Sequence, residues 1–162
     1  MSKGALSQRM EEAALAIARR KIRGGKPPFR RKYLDAAFNG NLFLWDTCML
    51  APWAAYYAEE LPIRPALDNF YRLQREDGFI CREFFPDGSP LWDPDHPICI
   101  NPPLLAWAEL HLHRHRPSLP RLRRVYPRIK ALHRWIESKF RGDDGLYFND
   151  ADGTYTFASG VT

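Results

Sequence analysis

Apolar residues recur at helical spacing in five stretches of this chain. In "ALSQRMEEAALAIARRKI", residues 5–22, Met10, Ala13, Ala14 and Ile17 share one stripe of a helix. Gly24 and Gly25 end that helix, and Pro27 and Pro28 in "GGKPPFRRK" prevent its resumption. Residues 46–59 are apolar nearly all round, the pattern of a buried helix. Pro52 is expected to kink it or to lie near its first turns. Ile63, Ala66, Leu67, Phe70 and Leu73 define a third helix over 63–76, closed by Gly78. A fourth covers 101–115, with Asn101 suited to the N-cap and Pro102 to the first helical position. Leu122, Val125, Tyr126, Ile129, Leu132 and Ile136 mark a fifth over 119–140, kinked or divided at Pro127.

The connection 77–100 is rich in Pro, Asp and Gly, and its "FPDGSP" reads as a tight turn between two short strands. A connection this long inside one domain is usually either functional or the sign of an element assigned wrongly. Residues 142–162 read as loop with a strand-like "TYTF". No strand–helix–strand alternation appears. The predicted fold is all-α, a single unit of helical hairpins over 1–162 in which 1–30 form an N-terminal helix and basic linker.

The chain has 162 residues, the size of one ordinary domain, with 45% hydrophobic and 14% aromatic residues. That composition excludes disorder. The net charge of +5 comes largely from arginines at 19–31 and 114–134. Such segments can bind nucleic acid or membrane. Acids are interleaved elsewhere, however, and no RRM, KH, zinc-finger or basic-zipper pattern is present, so nucleic acid is not the expected partner. Three cysteines, Cys48, Cys81 and Cys99, form no CxxC and suggest neither a disulfide framework nor a zinc set. The N-terminus is polar and no apolar run approaches membrane length. A soluble cytoplasmic protein is expected, with no metal or cofactor.

"LFLWDTCML", residues 42–50, sets Asp46 behind Trp45 in an apolar run. A carboxylate there is costly unless something satisfies it. Asp46 can cap the helix that follows. It can also accept hydroxyls of a sugar whose C–H face packs on Trp45. Both roles are compatible. Arg82 and Glu83 stand between Phe79 and Phe84 and are expected to face a pocket, unless Glu83 simply pairs with Arg82. The amide of Asn101 either caps its helix or reaches a hydroxyl at the same mouth. His111 and His115 have metal-binding spacing, but no third ligand accompanies them and a solvated face is the expectation. "NDADG" (149–153) lacks the acidic closing position of a calcium loop and reads as a turn. Ser159 lacks the GxSxG context of a nucleophile.

In this order, "LFLWDTCML", "LQREDGFICRE" and "NPPLLAWAEL" resemble the (α/α)6-toroid glycoside hydrolases of the mannosylglycerate hydrolase type, related to trehalases and family 63 glucosidases. The resemblance covers most of residues 40–160. It implies that Trp45 and Asp46 start a helix at the toroid mouth and hold the sugar in the subsite before the scissile bond. Asn101-Pro102-Pro103 corresponds to the family's Gln-Pro-Pro, with an amide one methylene shorter. "GLYFNDADGTYTFASG" resembles the stretch leading to the general acid, an Asp in a Ser-Gly-Met-Asp-Asn-like motif. Val161 and Thr162 stand where that motif would continue, and the family's general base comes from the far half of the toroid. The resemblance therefore implies an N-terminal part of a glycoside hydrolase of carbohydrate metabolism. It would carry substrate-binding Trp45, Asp46, Arg82, Glu83 and Asn101 but neither catalytic carboxylate. The alternative is a non-catalytic helical module that binds carbohydrate or protein. An incomplete toroid is also expected to expose apolar helix faces and to self-associate through them.

Overall fold

The computed structural model describes residues 3–27, 29, 31–36, 39–96 and 99–147. "NDADG", "TYTF" and Ser159 lie outside them. In chain order the elements are α1 (Lys3–Arg20), β1 (Ile22–Arg23), β2 (Tyr33–Leu34), β3 (Leu42–Phe43), α2 (Leu44–Ala54), α3 (Ile63–Leu73), β4 (Glu83–Phe84), α4 (Leu105–His115) and α5 (Leu119–Phe140). A 3-10 turn over Ala55–Tyr57 extends α2. The described chain is thus mostly helical. It also carries small strands in two antiparallel pairs, β1 with β2 and β3 with β4, so the fold is not all-helical; of these, β4 lies beside "FPDGSP", where a short strand was expected. No described helix is long and apolar enough to cross a membrane.

Two helices follow their sequence pattern closely. On α3, Ile63, Ala66, Leu67 and Phe70 are buried. On α5, Val125, Ile129, Leu132 and Ile136 are buried, although Tyr126, expected on that stripe, is exposed. Ser118 caps α5 by accepting from the Arg121 N–H at 3.3 Å. Pro127 lies inside this helix without dividing it. Pro127 is on the exposed side, where water can satisfy the carbonyl left without its helical donor.

α1 departs from expectation. Its buried residues are Leu15 and Ala18, whereas Met10 is 65% and Ile17 54% exposed. Polar ties accompany this rotation. Tyr57 Oη donates to Glu11, and Arg19 Nε donates to Glu60 Oε2 at 2.7 Å. They hold the Glu11–Leu15–Ala18 face against the chain, with the predicted stripe outward. α2 is likewise open on one side, with Met49 54% exposed. Gly24 and Gly25 do not end α1. They belong to the loop of the β1–β2 hairpin, in which Ile22 pairs with Leu34 and Arg23 with Tyr33.

α3 stops at Leu73, and Gly78 serves the turn beyond it. The Gly78 N–H donates to Arg75 O at 3.1 Å. Gln74 Nε2 donates to both Gly78 O and Arg128 O at 2.8 Å, joining the turn to α5. Gly78 has φ +99°, and a Cβ there would lie 2.6 Å from Ala131 O of α5.

The three last helices meet on buried charges. Arg121 Nε donates to Glu109 Oε2 at 2.7 Å and Nη2 to Glu109 Oε1 at 2.8 Å. Arg121 Nη1 donates to Asp68 Oδ1 at 3.0 Å, and Tyr71 Oη to Glu109 Oε1 at 3.0 Å. Burial pulls the Arg121 guanidinium down, but hydrogen bonding and charge from Glu109, with Asp68, outweigh it and raise its pKa. Burial, then Glu109, pushes the Tyr71 phenol up.

Two stability measurements follow from this packing. Gly78→Ala should cost roughly 2–3 kcal/mol in urea unfolding, from positive φ together with the clash on α5. Arg121→Met should cost about 3–5 kcal/mol by leaving Glu109 buried and unpaired. Adding Glu109→Leu should recover much of that loss; a double variant no better than the single one would count against the pairing.

Candidate functional site

The chain brings its candidate residues together through backbone hydrogen bonds at the start of α2. β3 and β4 pair antiparallel, Leu42 opposite Phe84 and Phe43 opposite Glu83. The Leu44 N–H then donates to Arg82 O at 2.8 Å, and the Arg82 N–H to Cys99 O at 3.4 Å. The first turn of α2 with Trp45 and Asp46, the Arg82–Glu83 segment and the segment leading to Asn101 are therefore neighbours. "FPDGSP" forms the predicted turn: Phe85 N–H donates to Ser89 O at 2.9 Å, and Asp87 accepts from the Ser89 N–H at 2.9 Å.

Both expected caps are corrected. α2 begins two residues before Asp46, with Phe43 as N-cap and no side-chain cap bond. The Leu44 N–H is taken by Arg82 O, so the helix springs directly from the β3 ladder. Asp46 is the third helical residue, where the positive end of the helix dipole favours a carboxylate. α4 begins at Leu105 with Leu104 as N-cap, not at Asn101. A residue before proline is pushed out of the α region, and Asn101 and Pro102 both precede one.

The side chains have different surroundings. Glu83 is buried and its Oε1 accepts from Asn41 Nδ2 at 2.6 Å. Arg82 is buried with its guanidinium 4.5 Å from the Trp92 ring centroid, and burial first of all lowers its pKa. Trp45 and Asn101 are half-buried. Asp46, also half-buried, lines a groove of about 540 Å³ between α1 and α2 together with Lys21, Asp35, Met49, Leu50 and Trp53. Trp45, Arg82, Glu83 and Asn101 are not among the residues lining it. The aromatic residue beside Asp46 in this groove is Trp53, seven positions on and so on the same helix face.

Asn41 and Asp35 carry no candidate role in the sequence pattern, whereas Trp92 belongs to the 77–93 cluster of acids and aromatics. "NGN" before β3 carries a local signal: Asn39 Oδ1 accepts from the Asn41 N–H at 3.0 Å, an Asx-type turn. Nothing local signals the long-range partner of Asn41. His111 packs on Trp107 at 4.5 Å and His115 on Tyr56 at 4.2 Å between ring centroids. Among the described residues no three His, Cys, Asp or Glu side chains are grouped to hold a metal ion.

No family model matches the chain. Over 108 residues it is 34% identical to an uncharacterized protein of Borreliella burgdorferi, covering 66% of this chain and 23% of that protein. Its fold matches the crystal structure of an uncharacterized conserved protein from Thermus thermophilus, with TM-score 0.60 and 21% identity over 78% of this chain and 32% of that one. The fold is shared. The chain spans about a quarter to a third of the length of these two proteins.

Buried thiols surround the start of α2. Burial, then the charges of Glu109 and Asp46, pushes Cys48 up, and burial pushes Cys81 up. Burial, then Cys81, pushes Cys99 up to about 12 from 9.0. The unfolded chain therefore releases thiol protons at lower pH than the native one. The resulting stability is fully present below about pH 9 and is lost as pH rises toward 12. Urea midpoints should fall over that window. Cys99→Ala should flatten the fall, and an equally steep fall in that variant would remove Cys99 as its source.

Proposed function

We propose that these residues form the N-terminal part of a glycoside hydrolase of the (α/α)6-toroid type, an arc of helical hairpins that holds substrate without the catalytic acid and base. What supports the reading is the convergence of the Trp45–Asp46 helix start, the Arg82–Glu83 strand and the Cys99–Asn101 segment through consecutive backbone hydrogen bonds. That is the ordered set of motifs on which the resemblance to mannosylglycerate hydrolases rests. In this reading Asp46 accepts sugar hydroxyls. Its carboxylate makes no hydrogen bond or ion pair with another described residue, so it is available to a ligand. Glu83 and Arg82 act by shaping the wall, Glu83 through Asn41 and Arg82 through Trp92. An inverting glycosidase sets its acid and base roughly 6.5–9.5 Å apart around a water. Neither role is assigned to a residue here.

The second reading is a non-catalytic helical module that binds carbohydrate or protein. The exposed apolar residues Leu6, Met10 and Ile17 of α1 favour it, and they also make self-association the expected behaviour in concentrated solution. A nucleic-acid role has less support, because Arg19, Arg116, Arg121, Arg124 and Arg141 are engaged with acids of the same chain.

The test uses mannosylglycerate and 4-nitrophenyl glycosides. The 162-residue chain should bind but not hydrolyse them, and Asp46→Asn should weaken binding about tenfold, the loss expected for one charge-assisted hydrogen bond. Hydrolysis that survived both Asp46→Asn and Glu83→Gln would defeat this reading.

A further inference from the structure

The groove between α1 and α2 holds a second carboxylate. Asp35 follows β2, and its side chain is 2% exposed. Its Oδ2 lies 3.6 Å from Lys21 Nζ and 3.7 Å from Arg23 Nη2. Its Oδ1 is closed to solvent and accepts no hydrogen bond. A buried acceptor left without a donor is a standing cost, and Asp35 is one of the residues that line the groove. Asp46 lines the same groove. The rest of the wall is mainly apolar, with Ile17, Leu34, Met49, Leu50 and Trp53. Largely apolar walls with a few placed polar groups, in a volume of roughly 300–1,000 Å³, are the usual make-up of small-molecule sites.

We propose that this groove binds a small ligand joining an apolar body to a hydroxyl-bearing head, with Asp35 and Asp46 as the two acceptors. In substrate terms this is a glycoside with an apolar aglycone, and the inference rests on the reading of Asp46 as a sugar acceptor. At Asp35, charge favours a hydroxyl over an ammonium. Asp35 already faces Lys21 and Arg23, and a third cation would meet both of them, whereas a hydroxyl donates without adding charge. Shape supports a two-part ligand. Asp46, Met49, Leu50 and Trp53 follow one another along a single face of α2. They span roughly 10 Å at about 1.5 Å per residue, room for a head at Asp46 and a short body toward Trp53. Ile17 of α1 closes the opposite side.

Isothermal titration calorimetry of the 162-residue protein tests this with four probes: hexyl β-D-glucopyranoside, methyl β-D-glucopyranoside, hexyl methyl ether and hexylammonium. The hexyl glucoside should bind one per chain, at least about tenfold tighter than the ether or the ammonium. Asn at position 35 would keep its carbonyl toward Lys21 and Arg23 and present an NH₂ group in place of Oδ1. Asp35→Asn should therefore weaken the hexyl glucoside about tenfold and leave the ether unchanged. Ile17→Glu, at a position 54% exposed and so tolerant of charge, should abolish hexyl glucoside binding with the thermal midpoint retained. Equal binding of ether and glucoside, tightest binding of hexylammonium, or indifference to Ile17→Glu would each overturn the proposal. Methyl glucoside binding that is lost in Asp46→Asn but unmoved by Asp35→Asn and Ile17→Glu would overturn the groove and leave the glycoside reading standing. Absence of any sugar-dependent binding would bring down both.

Discussion

The relative placement of three helices depends on one buried pair of charges, Arg121 with Glu109. The guanidinium fork of α5 meets the carboxylate of α4 through two parallel hydrogen bonds, while Asp68 and Tyr71 of α3 complete the shell. Burying two charges is costly, and only near-complete hydrogen bonding offsets it. Here the carboxylate also receives a phenol and the guanidinium a second acid. The geometry is demanding in a way that apolar packing is not, since a forked pair tolerates little sliding of one helix on another. The arrangement reaches α2 as well. α4 packs along α2, and Glu109 is close enough for its charge to raise the Cys48 thiol.

With α2 placed in this way, a few two-residue strands do the rest. The β3–β4 ladder is too short to be a layer of the fold, yet it determines where α2 begins and which loops lie beside that beginning. Arg82 supplies a carbonyl to the first helical N–H and takes one from Cys99, so the long 77–100 connection is pinned near both its ends. This accounts for the burial of a stretch within a loop: Cys81, Arg82, Glu83 and Phe84 are all inside. Polar side chains in this region divide into two kinds. Glu83 and Arg82 are occupied by Asn41 and Trp92, and they stabilise the wall. Asp46 and Asp35 line the groove, and one oxygen of Asp35 is buried without a hydrogen-bond partner.

α1 shows how weakly apolar patterning constrains a surface helix. Leu15 and Ala18 are buried on one side of α1, while Met10 and Ile17, on the stripe the spacing picks out, stay exposed. Tyr57 on Glu11 and Glu60 on Arg19 tie the same side of the helix to the chain. The outcome leaves an apolar stripe beside the groove, and with it a surface that can serve a ligand or another polypeptide.

Local periodicity was enough to locate the helices that carry the core. The limits of α5, the buried set of α3 and the turn in "FPDGSP" were all legible, because each follows from spacing, capping or turn chemistry within a few residues. Of the candidate site, the side-chain surroundings of Trp45, Asp46, Arg82, Glu83 and Asn101 were not legible. Asp46 missed its cap because the helix start was set by a carbonyl far along the chain, at Arg82. Glu83 found Asn41 rather than a ligand, and Asp35 carried no signal until β2 and α2 came together across the groove. Periodicity states which residues share a face. Which face is covered, and which carboxylate keeps an empty lone pair, is decided only when distant segments compete for the same donors and the same buried area.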